Sequence, residues 1–194
     1  RDIIFGAPSE SQYRLADLIT ERVPGIDLLR FTNSGTEATM MAMRTARAYT
    51  GRDTILKMDG GYHGSHDFAE INITPDASGS SVPAVKIEAG GVPACITDAV
   101  VVARYNDAAA VESILGQHSD RIAAIIVEPV MNAAGIISAD NEFLRSLREL
   151  ADRFGALLIF DEIVTFRLDE GGWQGLHGIT PDLTTLGKMI GGGF

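Results

Sequence analysis

The chain has 194 residues, 45% of them hydrophobic, and a net charge of −10 from 16 basic and 26 acidic side chains. That length and apolar content suit one ordered domain with a sizeable core, and the acidic balance excludes a general electrostatic affinity for nucleic acid or anionic membrane. Cys95 is the single cysteine, which excludes an internal disulfide and a cysteine-based metal cluster and fits a reducing, cytoplasmic setting; the longest apolar run, 122–127, falls far short of the ~20 residues of a membrane span.

In chain order, residues 9–23 carry Leu15, Leu18, Ile19 and Val23 at helical spacing, with Ser9 or Ser11 as the cap and Pro24-Gly25 as the stop. Residues 26–31 read as a short strand. Residues 36–49 form a second helix with Ala38, Met41, Ala42, Thr45, Ala46 and Tyr49 as its apolar stripe, closed by Gly51. Residues 54–58 are a strand. Residues 73–93 contain Pro75, Ser78 to Ser81, Pro83, Gly90-Gly91 and Pro93; a loop that long predicts a lid or an inserted segment. Asn106-Asp107 caps a helix running to about Leu115. Residues 122–127 are apolar throughout, as a strand covered on both faces requires. An amphipathic helix follows from Asp140 or Asn141 to Phe154 and stops at Gly155. Residues 156–160 are a second buried strand, ending at Asp161, and residues 183–186 are a strand that delivers Lys188. The alternation predicts an α/β fold of three layers, a mostly parallel sheet flanked by helices. The chain stops at Gly191-Gly-Gly-Phe194, inside a glycine-rich turn, so it reads as a piece of a longer protein.

Four short segments at predicted strand ends carry the chemistry, all ahead of Lys188. Thr32-Asn33-Ser34-Gly35-Thr36-Glu37-Ala38 lies between a strand and a helix. Its helix-start amides can hold a phosphate, and Ser34 with Glu37 also fits an ordinary capping box. Gly60-Gly-Tyr-His-Gly64 puts Tyr62 on a glycine-flanked turn, able to lie over a planar ring or simply to pack there, with His63 beside it. His63-x-x-His66-Asp67 is not a strong metal arrangement, because no ligand elsewhere stands at recognisable spacing, so no metal is expected. Glu128, stopped by Pro129, and Asp161-Glu162-Ile163 stand at carboxyl ends of strands, where ligands of open α/β sheets bind. A buried aspartate can hold a proton on a heteroaromatic ring nitrogen. Lys188, 27 residues after Asp161, sits among glycines and can form an imine with an aldehyde cofactor.

As a set, Ser34-Gly-Thr-Glu-Ala38, Tyr62-His-Gly64, Ile126-Val-Glu-Pro129, Leu158-Ile-Phe-Asp-Glu162 and Leu186-Gly-Lys-Met-Ile-Gly-Gly-Gly193 resemble the class III pyridoxal phosphate aminotransferases of fold type I. Phe5-Gly-Ala-Pro8, Glu21-Arg-Val-Pro24 and Pro181-Asp-Leu183 resemble in particular the glutamate-1-semialdehyde 2,1-aminomutase branch. The resemblance covers nearly the whole chain and implies that residues 1–194 are the large, cofactor-binding domain, with an N-terminal segment and a small C-terminal domain outside them. It implies pyridoxal 5'-phosphate as cofactor. Ser34, Gly35 and Thr36 would hold the phosphate, and Tyr62, with His63 beside it, would stack on the ring. Asp161 would bind the ring nitrogen, and Ile163 would pack on the other face. Glu128 would shape the substrate side, Asn132 would reach the cofactor hydroxyl, and Lys188 would carry the cofactor and shuttle protons. Catalysis would rest on Lys188, Asp161 and Tyr62. The implied reaction moves an amino group between an amino acid or amine and an oxo compound, in a homodimer with sites at its interface. The alternative is amino transfer within one molecule to give 5-aminolevulinate. Residues 73–93 do not match the gating segment of the aminomutases, which favours the first reaction.

Overall fold

The structure is a computed structural model and describes residues 8–192. Phe5, Gly6 and Ala7 of the first resembling motif, and Gly193 of the last, lie outside them. The chain forms α1 (Glu10–Arg22), α2 (Gly35–Thr50), β1 (Thr54–Met58), β2 (Val100–Ala103), α3 (Ala108–His118), β3 (Ile122–Val127), β4 (Val130–Met131), β5 (Ile137–Ser138), α4 (Asn141–Phe154), β6 (Leu157–Asp161), α5 (Gly172–His177) and β7 (Leu183–Thr185).

Five strands make one parallel sheet in the order β2-β1-β3-β6-β7, and β4 and β5 form a small antiparallel hairpin. Side chains alternate across a strand, and β3 uses both directions. Ala124 and Ile126 pack with Ala42, Met43 and Ala46 of α2, while Ile125 and Val127 pack with Val111 and Leu115 of α3 and with Leu144 and Leu147 of α4. Covered on both faces, β3 is wholly buried, as its unbroken apolar sequence predicts. The three-layer α/β expectation holds. Strand order reverses beside β1, because the chain goes out to β2 and returns to β3. That reversal opens a crevice at the carboxyl ends of β1 and β3, where doubly wound sheets bind ligands.

The helix boundaries follow local chemistry. Ser9 caps α1 in a full capping box with Gln12. Asp107 caps α3 through the Ala110 N–H, and Gly51 and Gly155 end α2 and α4 in the left-handed conformation.

Two expectations are corrected, and a third is placed. Residues 26–31 form no strand: Leu28 is 92% exposed and no sheet neighbour lies alongside, and a strand without a partner leaves its backbone groups unpaired. The buried stripe of α2 is Thr39, Ala42, Met43 and Ala46, whereas Tyr49 is 79% exposed and Thr45 is exposed too. The helix is rotated because the Thr39 hydroxyl donates to the His63 carbonyl at 2.6 Å, burying a polar residue that a hydrophobic pattern passes over. Residues 73–93 are irregular as expected, but none of them lines the cavity described below. They are tied at their neck instead: Asp59 accepts from Asn72 Nδ2 at 3.0 Å and from the Asp76 N–H at 2.7 Å.

Candidate active site

A cavity of about 200 Å³ opens at the carboxyl edge of the sheet, bounded by Gly35, Thr36, Tyr62, Gly64, Glu128, Asn132, Ala133, Asp161, Ile163, Val164 and Lys188. Each wall comes from a chain reversal that sheet geometry dictates. The start of α2 supplies Gly35 and Thr36, the turn after β1 supplies Tyr62 and Gly64, and the end of β3 supplies Glu128. The end of β6 supplies Asp161 and Ile163, and the turn after β7 supplies Lys188.

At the helix start, Ser34 Oγ accepts the Glu37 N–H at 3.2 Å, and Glu37 Oε2 accepts the Asn33 N–H at 2.8 Å. The capping and phosphate readings therefore divide between residues. Ser34 caps the helix through its oxygen and does not line the cavity, and that bond leaves its O–H free to donate. Gly35 and Thr36 do line it, and helix geometry provides no intrahelical partner for N–H groups in a first turn.

Asp161 is almost wholly buried. Its Oδ2 lies 2.8 Å from His63 Nδ1, and its Oδ1 accepts from Thr185 Oγ1 at 3.1 Å and the Ile163 N–H at 3.3 Å. A carboxylate offers about four acceptor sites, so these three contacts leave one for a donor in the cavity. His63 is buried behind Asp161 and does not itself line the cavity, because its ring turns inward to the carboxylate.

Glu162, next in sequence, faces away from the cavity. Its two oxygens accept the N–H groups of Trp173 at 2.6 Å and Gln174 at 2.9 Å, the Gln174 side chain at 3.1 Å and the Thr165 hydroxyl at 3.1 Å. Burial raises its pKa, against the pull of these donors. Glu162 organises the connection into α5.

Glu128 Oε2 accepts the Tyr62 N–H at 2.8 Å, and burial raises the Glu128 pKa, opposed by the nearby His63 ring and that N–H. Tyr62 stays 43% exposed at the cavity wall. Ile163 joins two walls: a methyl group added at Gly35 would lie 2.7 Å from its Cδ1, and one at Gly187 would lie 3.2 Å from its Cγ1 and Cγ2. Lys188 has φ +48, an uncommon backbone conformation for a residue with a side chain, and it opens the short turn Lys188–Gly191.

Apart from Ser34 and His63, the residues singled out in the sequence meet in this one cavity, Asn132 on the hairpin between β4 and β5 included. Gly64, Ala133 and Val164 also line it and were not singled out. Gly64 carried a signal, since a glycine after an aromatic turn often marks a close approach of two backbones. Lys57 was missed as well, although a lysine inside an otherwise strand-like run is a visible anomaly. Among the described residues no group of three or more His, Cys, Asp or Glu could hold a metal ion, and no helix is long and apolar enough to cross a membrane.

The walls fit a phosphorylated, nitrogen-containing ring: free amides at one end, a hydrogen-bonded carboxyl group with one vacant acceptor at the other, and an aromatic and an aliphatic side chain between them. The comparisons agree with that fit. The family model described as aminotransferase class-III matches residues 3–194. Glutamate-1-semialdehyde 2,1-aminomutases of Thermoplasma acidophilum and Pelotomaculum thermopropionicum are 49% and 50% identical, over 100% and 98% of this chain and 45% and 43% of their own. Among solved structures, an omega-transaminase from Sphaerobacter thermophilus superposes with a TM-score of 0.91 at 46% identity, covering 99% of this chain and 44% of that one. An aminomutase from Pseudomonas aeruginosa gives 0.78 at 30% identity, covering 91% of this chain and 38% of its own. The chain spans less than half the length of these relatives.

Proposed function

We propose that this chain, which belongs to the class III aminotransferases, is the large cofactor-binding part of an enzyme that moves an amino group between an amino acid or amine and an oxo compound. The observation that carries the reading is the convergence of Lys188, Asp161 and the start of α2 on one cavity. Pyridoxal 5'-phosphate, when bound, supplies an aldehyde that condenses with amines and a ring that withdraws electrons from the neighbouring carbon. The chain's own groups do the rest. The N–H groups of Gly35 and Thr36 hold the phosphate with the positive end of α2 behind them. Asp161, held in place by His63 Nδ1 at 2.8 Å, would face the ring nitrogen and hold its proton. Tyr62 and Ile163 flank the ring. Lys188 would be the amine that holds the cofactor, and its Nζ would move a proton to and from the substrate α-carbon. Glu128 would shape the substrate side, and Asn132 would reach the cofactor hydroxyl.

Two solved relatives described as transaminases, the Sphaerobacter protein and a β-phenylalanine aminotransferase from Variovorax paradoxus, are 46% and 41% identical, more than the 30% of the Pseudomonas aminomutase. These two relatives support transfer between molecules. The second reading, amino transfer within glutamate 1-semialdehyde, is supported by curated relatives of that name at up to 50% identity. A homodimer in the cytoplasm fits the exposed apolar side chains of Leu28, Phe31 and Tyr49, which a partner subunit would cover, and the single free cysteine.

The test uses the full-length protein. Incubation with pyridoxal phosphate followed by borohydride should fix one cofactor onto Lys188, read by peptide mass, and Lys188→Ala should abolish both labelling and turnover. Turnover that needs an added oxo acceptor supports the first reaction; 5-aminolevulinate formed from the semialdehyde alone supports the second. Unlabelled Lys188, or an active Lys188→Ala variant, would remove the proposal.

A further inference from the structure

Lys57 lies in the middle of β1, fully buried, in a strand whose five residues are all buried. Lysine is seldom found there, because removing an ammonium from water is costly unless it is paired and hydrogen-bonded. Its Nζ donates to three carbonyl oxygens: Gly61 at 2.9 Å, Ala69 at 3.4 Å, and Ile71.

The Gly61 bond has a counterpart on the other end of the same peptide unit. The N–H of that unit belongs to Tyr62 and donates to Glu128 Oε2 at 2.8 Å. The carbonyl end therefore faces a buried ammonium and the N–H end a buried carboxylate. A peptide dipole aligned this way gains at both ends, and its plane cannot rotate without breaking a charge-assisted hydrogen bond. The plane matters because it fixes ψ of Gly61 and φ of Tyr62, and with them the direction in which the phenol ring leaves the backbone. Glycine at 61 would otherwise leave that plane loosely set.

The geometry points to Lys57 as a positioning residue that, together with Glu128, clamps the Gly61–Tyr62 peptide and so aims Tyr62 across the cavity. The meaning of that aim rests on the cofactor reading above; the clamp itself does not. The acidic groups facing Lys57 are Glu128 from the end of β3, Asp59 from the end of β1, and Glu70 and Glu88 beside the Ile71–Ile87 bridge. Burial lowers the Lys57 pKa to about 8, with Glu128 the largest opposing influence. The remaining donors of Lys57 reach Ala69 and Ile71, so the same ammonium joins the Tyr62 turn to the chain entering residues 73–93.

The experiment compares wild type, Lys57→Met and Lys57→Gln in the full-length protein. Lys57→Met keeps length and bulk without a donor, and Lys57→Gln restores a neutral donor on a shorter stem. Two readouts apply: amide exchange of residues 60–63 in protein free of cofactor, and visible circular dichroism with the dissociation constant for pyridoxal phosphate. In Lys57→Met, exchange should quicken at Tyr62 and His63 while β3 and β6 stay protected. The dissociation constant should rise about tenfold, as expected for one lost bond to a charged group, with an altered dichroic band; Lys57→Gln should lie between. Should Lys57→Met not fold, Lys57→Gln carries the same readings against wild type. A folded variant with unchanged exchange at 60–63 and an unchanged dichroic band and affinity overturns the clamp. Failure of wild type to bind the cofactor would instead sink the proposed function, leaving the exchange measurement to judge Lys57.

Discussion

Replacing Gly64 by alanine tests how closely the Tyr62 turn approaches the helix start. Gly64 has φ +94, and a methyl group there would lie 2.6 Å from Thr36 Oγ1 and 2.7 Å from Thr36 Cα. The second atom is backbone in the first turn of α2, so it cannot swing aside. Gly91 is a matched control: its φ is +96, and an added methyl group would meet nothing within 4 Å. Both substitutions carry the backbone cost of an unfavourable φ, about 1–3 kcal/mol. Only Gly64→Ala adds overpacking, about another 1–3 kcal/mol. The difference between them in urea unfolding should therefore be about 2 kcal/mol in favour of Gly91→Ala. Displacing Thr36 Cα also moves the Thr36 N–H proposed to hold phosphate, and it disturbs the bond by which Thr36 Oγ1 accepts the Ser65 N–H at 3.2 Å. Pyridoxal phosphate affinity should fall about tenfold or more in Gly64→Ala, while affinity for unphosphorylated pyridoxal should fall much less. If Gly64→Ala matches Gly91→Ala in stability and binds the phosphorylated ligand as wild type does, the close approach to Thr36 is not what requires glycine.

Asp161→Asn keeps the shape of the side chain and removes its charge; losing a hydrogen bond between charged groups of about 3 kcal/mol should lower kcat about 100-fold in steady-state assays. Glu162→Ala should instead destabilise the fold by about 3 kcal/mol or more, because Trp173, Gln174 and Thr165 lose their shared acceptor; unfolding midpoints measure this, and a larger effect on kcat than on stability would contradict it. For Lys57, the unfolded chain keeps its proton up to the ordinary value of 10.5 whereas the folded chain releases it near 8. Between those values the unfolded state binds more protons, so raising pH favours the fold. Wild type should then gain up to about 3 kcal/mol relative to Lys57→Met between pH 7.5 and pH 10.5, read by denaturant titration at each pH.

Much of this architecture is local chemistry and was legible residue by residue. Ser9, Asp107, Gly51 and Gly155 mark helix ends because caps act within four residues, and the run 122–127 declares a buried strand because it has no polar face. The order of motifs along the chain was enough to group Gly35, Thr36, Tyr62, Glu128, Asp161 and Lys188, since parallel strands deliver their carboxyl ends to one edge. Segment 26–31 misled for the complementary reason: its apolar content says nothing about whether a neighbouring strand exists.

The partners of each group were a different matter. His63 meets Asp161 across 98 residues of chain, and the Tyr62 N–H meets Glu128 across 66. Such pairs are set by which strands become neighbours and how far each turn overshoots the sheet, and neither quantity leaves a periodicity in the sequence. The residue types were therefore readable in advance, while their division into side chains that line the cavity and side chains that hold those in place arose only when the sheet assembled and buried them together.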